Sequence, residues 1–439
     1  MNIKVCKFGG TSMANKEAID RVKKIILGDS SRRFVVVSAP GKRFGDDIKV
    51  TDLLYDCFEE KEQTGKCCNN FSNIRTRFED IVSDLNLDFD ITKYLDEIEE
   101  NIINSDTPDY AASRGEYLSG LIISKVLDFE FIDAKDLIRF NGKGEFDAEY
   151  TNDLVSKNLS ISKGAVIPGF YGVLPDDTIK TFTRGGSDFT GAIIARGVNA
   201  DLYENWTDVD GFMVSDPRIV ENPKIIKSLS YEELRELSFM GASVLHPQST
   251  FPLQSTNIPI NIKNTFAPDK PGTLILKEIV FDEKRPIVTG IAGRKNFTTI
   301  FIKKAMMNND IGFCRKILSV LEYYNISLEH MPTGIDTMSL IVEDSQLKEG
   351  IEFKLMESIR GKINPDLIYI HKGMSLIAVV GHGMSHSIGI SAKIFAALSD
   401  AKINIQMIDQ GSSEINIIIG VDNSEMNRAI EAIYSKCFK

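Results

Sequence analysis

Three short stretches of the chain gather residue types that handle phosphate. In Lys7-Phe8-Gly9-Gly10-Thr11-Ser12, a lysine closes an apolar run, IKVCKF, and two glycines lead into a helical pattern. Glycines let backbone N–H groups come close to a ligand, and the free N–H groups and dipole of a helix N-terminus favour an anion. A lysine beside such a turn points to phosphate; taken alone, a plain strand-to-helix turn explains the two glycines equally well. The chain lacks the G-x-x-x-x-G-K-[ST] loop, of which TGK at 64–66 is only a fragment in a helical region. Thr183-Arg184-Gly185-Gly186-Ser187-Asp188 repeats the Gly-Gly turn with different flanks. There Arg184 can grip a carboxylate through two parallel hydrogen bonds. Asp188 can hold Mg²⁺, orient Lys7, or simply cap the helix. The third stretch runs from Trp206-Thr207-Asp208-Val209-Asp210-Gly211-Phe212 to Asp216-Pro217-Arg218. It offers an aromatic ring for stacking, Thr207 and Asp208 for hydroxyl contacts and Arg218 for phosphate, although Asp-Pro is also ordinary turn chemistry.

Such turns need strands and helices to hold them. FVVVS at 34–38 and GAVIPGF at 164–170 have the apolar profile of strands buried on both faces, and DLYENW at 201–206 reads as a further strand. Helical periodicity dominates 51–135. Strand, Gly-rich turn and helix therefore alternate, the signature of an α/β fold with a largely parallel central sheet covered by helices. The 439 residues correspond to about two to four domains. A net charge of −11 argues against broad nucleic-acid binding, which needs a basic footprint. No run approaches the ~18 apolar residues of a membrane span, and MNIKVCKFGG lacks the basic and apolar regions of a signal peptide. The six cysteines form no C-x-x-C; reduced thiols and a cytoplasmic location are expected.

The composition shifts at FAPDKPGT, near residue 265, and beyond it the chain repeats itself at a spacing of 77 residues. Gly312 matches Gly389, Lys316 matches Lys393, Leu321 matches Leu398 and Gly334 matches Gly411. Each copy reads as strand, Gly-containing loop, helix, strand (ISLEHM or INIQMI), turn and strand. That is the ferredoxin-like α+β pattern. Expected domains are 1–283, 284–370 and 371–439, the last completed by the strand at 286–292.

Taken in order, KFGGTS, SAPGK, Thr51-Asp52, SRGEYLS, RGGSD, WTDVDGF, DPR and GASVLHP resemble the aspartate kinases of the amino-acid kinase superfamily, and the repeat resembles that family's paired ACT modules. The resemblance covers essentially the whole chain. It implies ATP-dependent phosphorylation of the β-carboxylate of L-aspartate to 4-phospho-L-aspartate, which opens the route to lysine, threonine and methionine. ATP is the co-substrate, and Mg²⁺ is carried mainly by its phosphates, with no separate protein metal site. Lys7 and Asp188 are the implied catalytic pair. Ser38, Thr51, Glu116, Arg184, Gly185, Gly186 and Ser187 are implied to hold aspartate. Lys7, Gly9, Gly10, Thr207, Asp208, Met213, Arg218 and Ser243 are implied to meet the nucleotide. Two positions depart from the family: Thr183 stands where Gly is common, and Ser243 where Lys is common, which removes a charge from the phosphates.

The resemblance further implies a homo-oligomer assembled through residues 285–439. It also implies feedback inhibition, with L-lysine the first choice because the chain ends at 439 without a homoserine dehydrogenase region. The expected effector pocket comprises Asn308, Asp310, Gly312, Ser327, Glu329 and Thr333, with Glu329 facing an ammonium group. Competing readings are another amino-acid carboxylate kinase of the superfamily and a non-catalytic ACT-based sensor. His382 and His386, set among glycines, read as a loop rather than a metal site.

Overall fold

The computed structural model describes residues 2–183, 185–242, 244–245, 247–279 and 285–438, without the side chains of Cys68 and Pro247. The chain forms two compact units. One gathers Met1–Phe212, Ile225–Leu234 and Ser243–Ile279; the other gathers Met213–Lys224, Arg235–Ala242 and Val280–Lys439.

Among the described residues, the first unit is built on ten strands: β1 (Lys4–Phe8), β2 (Arg32–Val37), β3 (Glu130–Phe131), β4 (Ala165–Pro168), β5 (Tyr171–Val173), β6 (Ile179–Thr181), β7 (Leu202–Thr207), β8 (Ser228–Ser230), β9 (Ile260–Asn264) and β10 (Thr273–Leu276). Eight of them form one sheet in the order β3-β4-β2-β1-β7-β9-β10-β8. Every neighbouring pair is parallel except β9 with β10. β5 and β6 make a separate hairpin. The helices are α1 (Lys16–Leu27), α2 (Val50–Thr64), α3 (Cys68–Asp84), α4 (Thr92–Asn104), α5 (Pro108–Leu127), α6 (Ala134–Leu137), α7 (Ala148–Leu159), α8 (Gly186–Gly197), α9 (Tyr231–Phe239) and α10 (Phe251–Gln254). The sheet is parallel because helices carry the chain from one strand to the next, and both faces are then covered. Cys6, Phe8, Val35, Val37 and Val166 on the strands pack with Val22 and Ile26 of α1 and Leu118 and Ile122 of α5 in one buried cluster. α5 is buried on nearly all sides from Ala111 to Leu127, as a helix enclosed by neighbours must be. Its approach is close at Gly115, where a Cβ would lie 2.6 Å from that of Ala39.

Trp206 is expected from sequence to offer a stacking ring, and the structure corrects this. The ring is fully buried, stacks on Phe8 at 5.9 Å and donates its Nε1–H to Glu204 at 3.0 Å. Glu204 also accepts from Arg32 and the Cys6 thiol. A buried indole needs a partner for its N–H, and this carboxylate provides it.

In the second unit, β11 (Gly290–Lys303), β12 (Thr337–Glu343), β13 (Leu367–Val380), β14 (Met407–Asp409) and β15 (Asn416–Asp422) form an antiparallel sheet in the order β12-β11-β13-β15-β14. Its helices are α11 (Phe313–Tyr323), α12 (Ile351–Ile363), α13 (Ile390–Asp400) and α14 (Met426–Phe438). The 77-residue repeat is visible in the backbone: Gly312 and Gly389 precede α11 and α13 with φ of +81° and +89°. The two copies share their central strands. β11 pairs along Phe297–Lys303 with β12, and along Gly290–Arg294 with Leu376–Val380 of β13. The strand expected at 326–331 is reduced to a bridge between His330 and Ile341, and that expected at 403–408 begins only at Met407. His382–His386 form a 3₁₀ turn rather than a loop. Two short stretches from earlier in the chain also belong here. The N–H of Ile291 donates to the Val214 carbonyl, and Asn416 donates to Glu236.

Candidate functional site

The C-terminal ends of β1, β2 and β7 bring the first two phosphate-type stretches together. Ligands bind at this edge in open parallel sheets, where strand ends and helix starts leave backbone N–H groups facing outward. The turn after β1 is anchored on one side by the Gly9 N–H, which donates to the Trp206 carbonyl at 3.0 Å. On the other side, the Gly41 N–H donates to the Gly10 carbonyl at 2.7 Å. A Cβ at Gly10 would stand 2.9 Å from the Ala39 carbonyl oxygen and 3.1 Å from the Gly41 nitrogen. Overpacking of this kind costs about 1–3 kcal/mol. Gly10→Ala is therefore expected to fold with a lowered thermal midpoint and to bind a nucleoside triphosphate at least tenfold more weakly; melting curves and calorimetry check both.

Lys7 is the penultimate residue of β1 and is 8% exposed. Its Nζ lies 2.5 Å from Oδ1 of Asp188, on the first turn of α8. The same oxygen accepts from Asn205 Nδ2 at 2.8 Å. Asp188 is thus held as a partner of Lys7 rather than as a cap. Gly185 precedes α8 with φ of +57°. Among the described residues no side chain caps this helix start, so its N–H groups remain available to an anion. Arg184 and Ser243 lie outside the described residues.

Glu116 sits on α5 directly after Gly115. It is 5% exposed, and its Oε2 is buried with no hydrogen-bond partner. Burial pushes its carboxyl up to about 8, against the opposing pull of the backbone N–H groups of Ala39 and Glu116 and of the Arg114 and Lys7 charges. A buried carboxyl with an unused oxygen near a lysine is an acceptor awaiting a cation.

Ser38 directly follows β2, and its N–H donates to the Phe8 carbonyl at 3.2 Å. Thr51 lies on the first turn of α2, next to Val50, whose N–H donates to the Pro40 carbonyl. Ser187 is buried on the first turn of α8 behind Gly186. Thr207 ends β7, and its hydroxyl donates to Asp208 at 3.3 Å. The first unit therefore brings together Lys7, Gly9, Gly10, Ser38, Glu116, Gly186, Ser187 and Asp188. Met213 and Arg218 belong to the stretch that folds with the second unit. There the Arg218 guanidinium is 85% exposed and pairs with Asp216 at 2.6 Å.

Sequence reasoning passed over Asn205, which orients Asp188, and Arg77, a helical arginine that is 3% exposed. The pattern LYENW reads Asn205 only as a strand residue; nothing local marks either one.

In the second unit, the loop before α11 holds Asn308, Asp310 and Gly312, with Asp310 paired to Lys316 at 2.6 Å. The Ser327 N–H donates to Gln346, and Thr333 bridges to Met338. Glu329 is half-buried, and its Oε2 has no partner. Burial raises its carboxyl pKa; the Arg294 charge opposes the rise and Glu343 adds to it.

Residues 2–264 match the amino acid kinase family, and residues 377–437 match the ACT domain. The chain is 36% identical to Aspartokinase 3 of Bacillus subtilis (strain 168) over 99% of both sequences. It is 27% identical to the lysine-sensitive aspartokinase 3 of Escherichia coli (strain K12), over all of this chain and 99% of the other. Aspartate kinase of Clostridium acetobutylicum has a similar structure, with a TM-score of 0.94 at 51% identity over 99% of this chain and 100% of that one. E. coli aspartokinase III, solved with aspartate and ADP in an R-state and with lysine and aspartate in a T-state, gives a TM-score of 0.76 at 26% identity over the whole of both chains.

Proposed function

The chain belongs to the amino acid kinase family as an aspartokinase with ACT regulation, and on that footing we propose that it transfers the γ-phosphoryl group of ATP to the β-carboxylate of L-aspartate. The observation that carries this reading is the buried carboxyl of Glu116, whose Oε2 has no hydrogen-bond partner, within reach of the Lys7 charge and its pair with Asp188. An amino-acid substrate brings an ammonium group for Glu116. Its α-carboxylate is assigned to Arg184, and Ser38 and Thr51 line the same place. The β-carboxylate oxygen forms the new O–P bond as the bond from phosphorus to the ADP oxygen breaks, and ADP leaves with that electron pair. A carboxylate of ordinary pKa ~3.9 is already ionised at pH 7, so no general base is needed. In a loose transition state the protein's task is to position groups and neutralise charge. Lys7 and the N–H groups at Gly9–Gly10 and at the start of α8 do this, and Asp188 with Asn205 keeps the Lys7 ammonium aimed. Asp188 alone is too small a donor set for Mg²⁺, and it fits an ion that takes its other ligands from phosphate and water. Such an ion would supply further neutralisation of phosphate charge. Thr207 and Asp208, with Met213, Arg218 and Ser243, are assigned to the nucleotide.

A coupled ADP-release assay with aspartate, glutamate and N-acetylglutamate tests the reading. Turnover with aspartate alone is expected; equal or greater turnover with glutamate would sink it. The product opens a route to lysine, threonine and methionine, and an enzyme at such an entry point suits end-product control.

We further propose that L-lysine is the effector. It binds the second unit with its α-carboxylate at the loop before α11 and its side-chain ammonium on Glu329, whose Oε2 lacks a partner. By linkage, lysine must bind the inactive state more tightly than the active one. Glu329→Ala is expected to raise the lysine concentration for half-inhibition by about tenfold or more, with the uninhibited rate retained. A variant as sensitive as the parent chain refutes the pocket, and no inhibition by lysine, alone or with threonine, refutes the effector.

The second unit is also proposed to pair with a second copy. The stacked Phe301 and Tyr369 line a groove of about 570 Å³ on its sheet together with the exposed Ile408. Sedimentation at micromolar concentration is expected to give at least a dimer; a monomer overturns this.

A further inference from the structure

α3 aims one arginine into the first unit's site loop. Arg77 is 3% exposed, and its guanidinium reaches residues more than twenty-five positions earlier in the chain. Nη1 donates to the Ile48 carbonyl at 2.8 Å, Nη2 donates to the Gly41 carbonyl, and Nη2 lies 3.2 Å from the Asp47 carboxylate. Arg43 closes the same loop on Asp47 at 2.9 Å. The guanidinium thus clamps both arms of the 40–49 loop at once, which a planar fork of donors can do and a lysine cannot. Gly41, held through its carbonyl by Arg77, uses its N–H to hold the Gly10 carbonyl at 2.7 Å. There is no slack between these two glycines, because a Cβ on Gly41 would lie 2.7 Å from the Gly10 carbonyl carbon. A displacement of Gly41 is therefore passed on to Gly10.

We infer that Arg77 is a positioning residue for the Gly9–Gly10 turn, acting through Gly41 on the backbone that receives the nucleotide phosphates. This rests on the proposed role of that turn in phosphate binding. The effect should fall on nucleotide and turnover rather than on aspartate. Ser38 has its own anchor on the Phe8 carbonyl, and Glu116 is carried by α5 and meets this loop through the Ala39 N–H rather than through Gly41.

The test compares Arg77→Lys and Arg77→Met with the parent full-length chain. Arg77→Lys keeps a positive charge and an unbranched alkyl stem near Asp47 while losing the fork of donors, so it remains informative if Arg77→Met fails to fold. For Arg77→Lys, kcat is expected to fall at least tenfold and KM for ATP to rise at least threefold, with KM for aspartate within twofold and the melting temperature within a few degrees. Millimolar guanidinium is expected to restore part of kcat in Arg77→Met when that variant folds. ADP binding, measured by calorimetry without aspartate, should weaken in parallel. Unchanged kcat and ATP KM in Arg77→Lys would overturn the inference. So would a rise in both KM values that merely tracks loss of melting temperature, the mark of a purely structural arginine. If the parent chain binds ADP but does not phosphorylate aspartate, the kinase reading fails while the ADP measurement still decides the role of Arg77.

Discussion

Lys7→Ala is expected to lower kcat by about 10²–10³-fold, the usual loss when one fixed donor to developing charge is removed from an active site. KM for aspartate should move little, because Lys7 pairs with Asp188 and is assigned to the phosphates rather than to the amino acid. The change removes more than a charge. It leaves the Asp188 carboxylate facing incoming phosphates with Asn205, among the described residues, still donating to it, so electrostatic repulsion adds to the lost stabilisation. Breaking a partly buried pair also costs stability, since one ion is left without its counter-charge. The double variant Lys7→Ala/Asp188→Asn separates these effects. It should regain thermal stability relative to Lys7→Ala without regaining turnover. A soluble Lys7→Ala protein with near-parental kcat would refute the assignment of the pair.

Glu116→Gln is expected to raise KM for aspartate by about 10- to 150-fold, the equivalent of losing a charged hydrogen bond of about 1.5–3 kcal/mol. The amide keeps the shape of the side chain and discards its charge. The carboxyl of Glu116 is pushed up to about 8 by burial, against an ordinary ~4.3. At pH 7 the ligand-free chain therefore holds it mostly protonated. Binding an ammonium group requires the ionised form, so KM for aspartate should fall as pH rises from 6 towards 8. In Glu116→Gln that slope should be flat. Stability runs the other way. Because the folded pKa lies above the unfolded one, the neutral carboxyl's contribution is fully present below about pH 4.3 and is lost as pH rises through about 8. Glu116→Gln removes this titration, so its melting temperature should exceed the parent's at pH 8 and match it near pH 4.5. A pH-independent KM in the parent chain, or a Glu116→Gln variant that binds aspartate normally, would show that Glu116 does not receive the ammonium group.

The local chemistry was legible in the sequence. Strand, Gly-Gly turn and helix follow one another at Lys7–Ser12 and at Arg184–Asp188 because short-range sterics set where strands end and helices begin. Those are the places where N–H groups lie free. The parallel sheet followed from apolar runs such as FVVVS, and the C-terminal repeat from glycines recurring 77 residues apart. These features depend on neighbours a few positions away, so a one-dimensional reading finds them.

Tertiary structure decided which of the attractive residues do chemistry and which only hold the scaffold. Trp206 looked like a stacking ring, yet β7 lies at the centre of the sheet, and burial there binds its indole to Glu204. Glu116 lies in a helix whose pattern shows no special demand. The packing of α5, with Gly115 in close approach to Ala39, buries the Glu116 carboxyl and leaves Oε2 without a partner. Asn205 and Arg77 look like ordinary polar residues of a strand and a helix. Their roles come from Asp188 and from Gly41, respectively seventeen and thirty-six residues away. The strand at 286–292 is expected from sequence to complete the last repeat; in the structure the long strands β11, which begins at Gly290, and β13 run through both repeats. Periodicity reports which face of an element is apolar. It carries no information about which distant backbone carbonyl, carboxylate or strand will meet that face, and in this protein those long-range contacts hold Lys7, Gly10 and Glu116 in place.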